Sequence, residues 1–107
     1  MDEIGLHKGY CRMELKFGDC LDKLTEIPDN SVNMIMADLP YGTTACKWDS
    51  IIPLEPLWKE LKRVTTDNSA MVFTAQQPFT TALAASNLND FRYEWIWEKP
   101  QGTNPMN

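Results

Sequence analysis

The segment that most constrains the fold is the run VNMIMA, Val32–Ala37, in which every residue except one asparagine is apolar. A run of this kind, preceded by a turn cluster, is typical of a β-strand that is covered on both faces, as in a parallel sheet. It leads directly into DLPYG, Asp38 to Gly42, which brings an acid, a proline and a tyrosine to the end of that strand. Ligands bind outside the carboxyl ends of the strands in such sheets, so this is the first candidate site.

Strands and helices alternate along the rest of the chain, which predicts an α/β fold with a mostly parallel, doubly wound sheet and helices on both faces. The clearest helix starts at Pro53, because apolar residues recur at helical spacing up to Val64 and charged residues occupy the opposite side. The predicted strands are 13–18, 32–37, 70–75 and 91–99, and the predicted helices are 21–27, 53–64 and 78–88. We expect residues 1–12 to be a flexible start and residues 13–107 to form one domain or part of one.

The composition is that of a globular protein, since 43% of the 107 residues are hydrophobic and 10% are aromatic. The net charge of −5 argues against a self-sufficient nucleic-acid-binding protein, because such proteins carry a basic surface for phosphates. The three cysteines include no CxxC pair, which argues against a disulfide framework or a zinc site, and we expect no metal. The sequence has no apolar run of membrane-spanning length and no signal-peptide core, so we expect a cytoplasmic protein without a membrane partner.

The segment DLPYG resembles the DPPY motif of the amino-methyltransferases that modify adenine N6 or cytosine N4 in DNA with S-adenosylmethionine as the methyl donor. The resemblance extends to GD upstream, Gly18 and Asp19, and to WEKP downstream, which ends at Pro100. The flanking residues look like the phage and bacterial members in which the catalytic motif precedes the main cofactor motif. The resemblance covers most of the chain, from about Met13 to Asn107, and implies a partial Rossmann-like methyltransferase fold.

The match to the family implies roles for individual residues. The residues implied to act in catalysis are Asp38, Leu39, Pro40 and Tyr41. Those implied to contact the cofactor are Gly18, Asp19 and Asp38. Those implied to form the pocket for the target base are Tyr41, Gly42, Trp97 and Lys99. Two of these have an ordinary structural alternative, since Asp19 is equally suited to cap a short helix and a tryptophan on a strand face, such as Trp97, is more often core.

The chemistry explains why a carboxylate, a carbonyl and an aromatic ring occur together. An exocyclic base amine is a poor nucleophile, because its lone pair is delocalised into the ring, so acceptors must draw its hydrogens out of the ring plane. The Asp38 carboxylate and the Leu39 carbonyl would each accept one hydrogen, while Pro40 holds the turn rigid. Tyr41 would stack on a base flipped out of the duplex. The family usually has proline in place of Leu39, so the turn is less constrained in this chain.

Several readings of the motif remain open. Aspartate at its first position favours adenine over cytosine in this family, which makes adenine N6 the leading expectation. Cytosine N4, RNA or a protein glutamine are alternative substrates, since related motifs serve these too. The other alternative is a non-catalytic remnant that keeps the fold, or that binds a base or a partner. An Asp-x-Pro-Tyr turn can end a strand without taking part in any chemistry.

The glycine-containing cofactor loop of the family has no counterpart here, because no two of the five glycines are separated by a single residue. The target-recognition region, which follows the catalytic motif in this group, also has no counterpart. The resemblance therefore implies a sheet with gaps, open strand edges and exposed apolar faces. We expect double-stranded DNA as the substrate, and self-association or a complementing chain as the means of covering these surfaces.

Overall fold

A strand, helix, strand unit forms the centre of the molecule. The computed structural model describes residues 12–47 and 49–100, and its elements in chain order are α1, Cys20–Leu24; β1, Val32–Ala37; α2, Leu54–Val64; β2, Thr65–Phe73; and α3, Phe79–Ser86. β1 has the bounds that its apolar run predicts, and α2 ends at the predicted residue. The predicted flexible start falls mainly on residues 1–11, which lie outside the described residues.

β1 and β2 pair in parallel, so the chain is a small α/β protein with a two-stranded parallel sheet, as the alternation of elements predicts. The paired positions are Met34 with Ala70, Ile35 with Met71, Met36 with Val72 and Ala37 with Phe73. The sequence predicts β2 over 70–75, whereas it begins at Thr65, because the backbone becomes extended as soon as α2 ends. The register is irregular near the start of β1, where β2 carries the extra residues.

The buried core is formed by α2 and α3. Leu57, Leu61 and Val64 are buried in α2, where their spacing places them on one side of the helix. Phe79 and Leu83 are buried in α3. Burying a side chain of this kind stabilises a fold by about 1.5–3 kcal/mol, so each of these five residues contributes substantially to stability.

Trp58 connects α2 both to the sheet and to α3. Its ring meets Phe73 of β2 edge-on, with the ring centroids 5.3 Å apart and the planes at 72°. Its Nε1 donates a hydrogen bond to Ser86 Oγ over 2.7 Å. α2 therefore covers the face of the sheet that carries Phe73.

The opposite face of the sheet is open. Side chains alternate between the two faces of a strand, so Met34 and Met36 lie on the face away from Phe73. They are 56% and 74% exposed. The predictions that β1 is covered on both faces and that helices lie on both faces of the sheet are therefore wrong for the described residues. An apolar run indicates that a strand can be covered, but no further element within residues 12–47 and 49–100 covers this face.

Arg63 joins the end of α2 to α1. Its guanidinium donates to the carbonyls of Leu24 and Ile27 over 2.8 and 2.9 Å. These carbonyls belong to the carboxyl end of α1 and the turn after it, where the helix dipole favours a cation. The same turn is fixed to the last residue of α2, since Ser31 N donates to Val64 O over 2.8 Å. The first residue of β1, Val32, therefore lies beside the first residue of β2, Thr65.

The predicted strands at 13–18 and 91–99 are wrong, since neither segment is a strand in the structure. A strand exists only where its backbone N–H and C=O groups pair with a neighbour, and the described residues give these segments none. Their apolar side chains are exposed, as Phe17 and Trp95 show. Apolar alternation indicates the capacity to pair and does not provide the partner. No helix within the described ranges is both long and apolar enough to cross a membrane.

We expect Leu57→Ala to lower the free energy of unfolding by about 2–5 kcal/mol, because it leaves a cavity where a side chain is almost fully buried. Urea denaturation followed by circular dichroism measures this change. Leu88→Ala is the matched control, since Leu88 is 66% exposed, and it should shift the free energy by no more than about 0.5 kcal/mol. Equal losses in the two variants would contradict the position of the core.

Candidate functional site

A cleft of about 350 Å³ lies at the carboxyl end of β1. It is lined by residues 38–41, Thr43, Thr44 and Asp49, so it contains the whole of the predicted catalytic motif. This end of a parallel sheet is where α/β proteins place their ligands. The motif and the fold therefore indicate the same location.

Two hydroxyl groups hold the Asp38 carboxylate. The pairing of the strands continues one residue past β2, since Thr74 N donates to Ala37 O over 3.1 Å. This places Thr74 beside Asp38, and its hydroxyl donates to Asp38 Oδ1 over 2.5 Å. The Tyr41 hydroxyl lies 3.3 Å from Asp38 Oδ1 and 3.0 Å from Thr74 Oγ1. The carboxylate is thus fixed through one of its two oxygens.

The two acceptors that the motif predicts to bind the amine belong to residues that line the cleft, and neither receives a hydrogen bond from the described residues. One is Asp38 Oδ2, because both hydroxyl contacts are made to Oδ1. The other is the carbonyl oxygen of Leu39, which accepts no backbone or side-chain donor from residues 12–47 and 49–100. Each oxygen can accept from a ligand N–H. The turn therefore presents a carboxylate oxygen and a carbonyl oxygen from adjacent residues.

Phe79 of α3 holds the ring of Tyr41. The two rings stack with their centroids 5.4 Å apart and 21° between their planes. Phe79 is 2% exposed, so it is a fixed support in the core. The Tyr41 ring is braced on one face by Phe79 and at its hydroxyl by Thr74. The face away from Phe79 is the one on which a planar ligand would stack.

Asp49 closes the loop that forms the other wall of the cleft. Its carboxylate accepts the backbone N–H groups of Gly42, Thr43 and Thr44 over 3.0, 3.0 and 2.7 Å, and the residue is 6% exposed. Gly42 has a φ of +72°, which glycine adopts without strain, and a Cβ there would lie 2.7 Å from Ile51 Cγ1. Converging N–H groups bind anions. The Asp49 carboxylate is the anion that these three N–H groups bind, so they stabilise the loop and are not available to a ligand.

Hydrogen bonding holds the pKa of Asp49 below its usual range. The Thr44 side chain contributes most to this lowering, followed by the backbone N–H of Gly42, and burial opposes both. Because the folded pKa is lowered, the ionised carboxylate stabilises the loop above the ordinary aspartate pKa of about 4. That stabilisation is lost as the pH falls through the lowered pKa.

Asp19 caps the amino end of α1. Its Oδ1 accepts from Leu21 N over 2.8 Å, which confirms the helix-cap alternative. Gly18 precedes it with a φ of +141°, a backbone conformation that favours glycine. Neither residue lines the cleft that contains Asp38. Their part in cofactor binding stays a prediction.

Trp97 and Lys99 lie in the unpaired segment after α3 and do not line the cleft. Trp97 is 85% exposed, so the alternative that it is a core residue is wrong for the described structure. The physical reason is the missing strand pairing, since an unpaired segment is not pressed against a sheet. A place for these two residues in the base pocket stays a prediction.

Sequence reasoning missed three residues that build the site. Thr74 can be found only from the strand register, because pairing Ala37 with Phe73 makes Thr74 the neighbour of Asp38. Phe79 and Asp49 carry no signal of their own, since their contacts depend on how α3 and the loop fold back. No family model matches the chain, and no solved structure matches it.

We expect Asp49→Asn to loosen the loop at every pH, because the amide loses the charge and replaces one acceptor oxygen by a donor. In the unchanged chain the hydrogen-exchange protection factors of the Gly42, Thr43 and Thr44 amides should be high at neutral pH and fall below about pH 4. Exchange followed by NMR across this range measures both effects. Asp67→Asn alters an exposed acid of β2 and should leave the factors unchanged. Undiminished protection in Asp49→Asn would contradict the role of this carboxylate.

Proposed function

We propose that this chain carries the amine-binding site of a DNA methyltransferase that moves the electrophilic methyl group of S-adenosylmethionine to adenine N6. The observation that carries the proposal is the pair of acceptors, Asp38 Oδ2 and the Leu39 carbonyl, beside the braced ring of Tyr41. Adenine N6 bears two hydrogens next to an aromatic ring. The turn thus offers one acceptor for each hydrogen and one ring face for the base.

The chain's own residues supply the activation of the amine. One N–H of N6 donates to Asp38 Oδ2 and the other to the Leu39 carbonyl, which draws both hydrogens away from the conjugated geometry. The nitrogen lone pair gains the tetrahedral character that nucleophilic attack requires. Thr74 fixes Oδ1, so Oδ2 keeps one direction and little freedom is lost when the amine binds.

Stacking on Tyr41 offsets the cost of removing the base from the duplex. Flipping a base out of the stack costs a few kcal/mol. Stacking on an aromatic side chain returns roughly 1–3 kcal/mol. Because Phe79 and Thr74 already hold the Tyr41 ring, that gain is not spent on ordering the side chain.

The fold is consistent with this function at the level of a parallel α/β unit. We assign β1, α2 and β2 to a partial Rossmann-like methyltransferase sheet. Two parallel strands joined through a helix are the unit from which such sheets are built. The motif lies at the carboxyl end of β1, where these sheets bind their ligands.

The described residues do not form a complete site for S-adenosylmethionine. The cationic sulfonium suits the Asp38 carboxylate, but the amino-acid carboxylate of the cofactor needs N–H donors or a cation. The converging N–H groups of the loop are bonded to Asp49, and no lysine or arginine lines the cleft. We therefore assign the base amine and the sulfonium to this cleft, and we keep Gly18 and Asp19 as proposed cofactor contacts. The donors for the amino-acid carboxylate are assigned to residues outside the described ranges or to a complementing chain.

Double-stranded DNA is the proposed substrate, recognised here through one base. The cleft is lined by two acids, Asp38 and Asp49, and a phosphate would be repelled from it. Phosphate contacts set affinity and orientation in protein–DNA complexes, whereas base contacts set identity. We infer that this cleft reads the base and that phosphates are bound by other surfaces.

The test compares adenine with purine, which has the same ring system without the amine, at one unpaired position of an oligonucleotide duplex. The unchanged chain should bind the adenine duplex roughly 5- to 150-fold more tightly, since two hydrogen bonds of about 0.5–1.5 kcal/mol each depend on the amine. Fluorescence anisotropy measures both affinities. Asp38→Ala should remove most of the preference, and Asp67→Ala, an exposed acid outside the cleft, should retain it.

Equal affinity of the unchanged chain for the two duplexes would overturn the proposal. A larger preference for cytosine over its analogue without the N4 amine would assign cytosine as the target. Transfer of labelled methyl groups to unmethylated DNA, with the product identified by mass spectrometry, then reports on the complete reaction. Transfer that survives Asp38→Ala would overturn the role of this carboxylate.

Thr74 is a positioning residue in this scheme, because it acts on the amine only through Asp38. Thr74→Val should reduce the preference for adenine over purine about three- to tenfold, which corresponds to one weakened hydrogen bond. Thr74→Ser keeps the hydroxyl and should restore the preference. Affinity for the purine duplex should be the same in all three chains. A parallel loss for both duplexes would instead indicate a merely structural role.

A further inference from the structure

We propose that residues 91–99, FRYEWIWEK, form an antiparallel strand pair with the same segment of a second copy of this chain. The segment follows α3 and is not paired to β1 or β2. Its pairing with itself gives a dimer with two-fold symmetry, in which each copy presents the same surface.

The segment displays an aromatic row that is open to solvent. Tyr93, Trp95 and Trp97 are 69%, 78% and 85% exposed. The rings of Tyr93 and Trp95 lie side by side with their centroids 5.7 Å apart. Tyr93 and Trp95 therefore share one side of the segment, as alternate residues do in a strand. Contiguous apolar surface of this kind on a folded chain marks an interaction site.

The backbone of the segment has its hydrogen-bonding groups available. From Arg92 to Lys99, no backbone N–H or C=O group bonds to another described residue. A row of such groups is a template for pairing with another chain. Pro100 follows and has no N–H, so it ends the row of donors. The segment thus has the length of an ordinary strand and lacks only a neighbour among the described residues.

The sequence of the segment is complementary to itself in one antiparallel register, centred on Trp95. In that register Arg92 of each copy lies opposite Glu98 of the other, and Tyr93 lies opposite Trp97. Two-fold symmetry produces each of these pairs twice. Opposite charges and aromatic pairs directly across a strand pair both stabilise it. The exposed bonds of the Arg92 guanidinium to nearby carbonyls are replaced by a charge-assisted bond to Glu98.

The neighbouring registers are unfavourable. Centring on Ile96 sets Glu94 against Glu98, and centring on Glu94 sets that residue against itself, so both oppose like charges. A register centred between two residues places the aromatic side of one strand on the charged side of the other. The segment itself carries two cations, Arg92 and Lys99, and two anions, Glu94 and Glu98, so its net charge is zero. Of the registers centred on Glu94, Trp95 and Ile96, only the one centred on Trp95 opposes no like charges, and it also pairs the whole segment with its copy.

Sedimentation equilibrium over a range of protein concentrations tests the dimer. An isolated two-stranded ribbon is marginal, so we expect a reversible equilibrium between monomer and dimer. Arg92→Glu and Glu98→Arg should each raise the dissociation constant about tenfold, because each creates two like-charge pairs. The double variant exchanges the two charges and should restore the original constant. Both substitutions lie on exposed side chains, and circular dichroism should show unchanged secondary structure.

Oxidative cross-linking tests the register. In a chain whose three native cysteines are replaced by serine, Trp95→Cys places two thiols directly across the strand pair. Cα atoms in such pairs are about 4.5–5.5 Å apart, within the range of a disulfide. Ile96→Cys is the matched control, since its own counterpart lies two residues farther along the partner strand, at about 8 Å. We expect rapid cross-linking of the first variant and little of the second.

A chain that remains monomeric at all concentrations would overturn the proposal. A dimer whose stability is the same in Arg92→Glu as in the unchanged chain would also overturn it, because the interface would then lie elsewhere. Equal cross-linking of Trp95→Cys and Ile96→Cys would contradict the register. If residues 91–99 bind a different protein and not a second copy, the purified chain stays monomeric, and this result also overturns the proposal.

Discussion

The parallel pairing of β1 with β2 is the constraint on which the rest of the structure depends. Its register sets Ala37 opposite Phe73, and by continuing one residue it sets Asp38 beside Thr74. Phe73 is also the ring that Trp58 contacts. A slip of one residue would move Phe73 to the open face and remove Thr74 from Asp38. One ladder therefore specifies both the packing of α2 and the orientation of the carboxylate.

Three parts of the cleft are each held in place by a neighbouring residue. Asp38 is bonded through Oδ1, Tyr41 is supported by Phe79, and the loop backbone is bonded to Asp49. The two carboxylates of the cleft differ because of their partners. Asp49 is saturated by three N–H groups and buried, whereas Asp38 is exposed and keeps one oxygen for a ligand. The same residue type thus serves as a structural anion in one position and as a candidate acceptor in the other.

Features that depend on residues close in sequence could be predicted, whereas contacts between residues distant in sequence could not. β1 and α2 follow from local pattern, since an apolar run and a helical spacing act over a few residues. The cap at Asp19 is local in the same sense. The contact of Thr74 with Asp38 and that of Phe79 with Tyr41 span more than thirty residues of chain, and they depend on register and on the return of α3. The segments 13–18 and 91–99 fail as strands because pairing is a property of two segments, and a pattern describes only one.

The two proposals use different parts of the molecule and fail separately. The cleft is built from the end of β1, its loop and α3, and no residue of 91–99 lines it. Loss of the dimer through Arg92→Glu should therefore leave the preference for adenine unchanged, since neither acceptor nor Tyr41 contacts that segment. Conversely, Asp38→Ala removes an exposed carboxylate that lies outside residues 91–99, so it should not alter the monomer–dimer equilibrium. A change in both properties from either substitution would mean that the segment reaches the cleft when two copies meet, and the aromatic row would then belong to the base pocket.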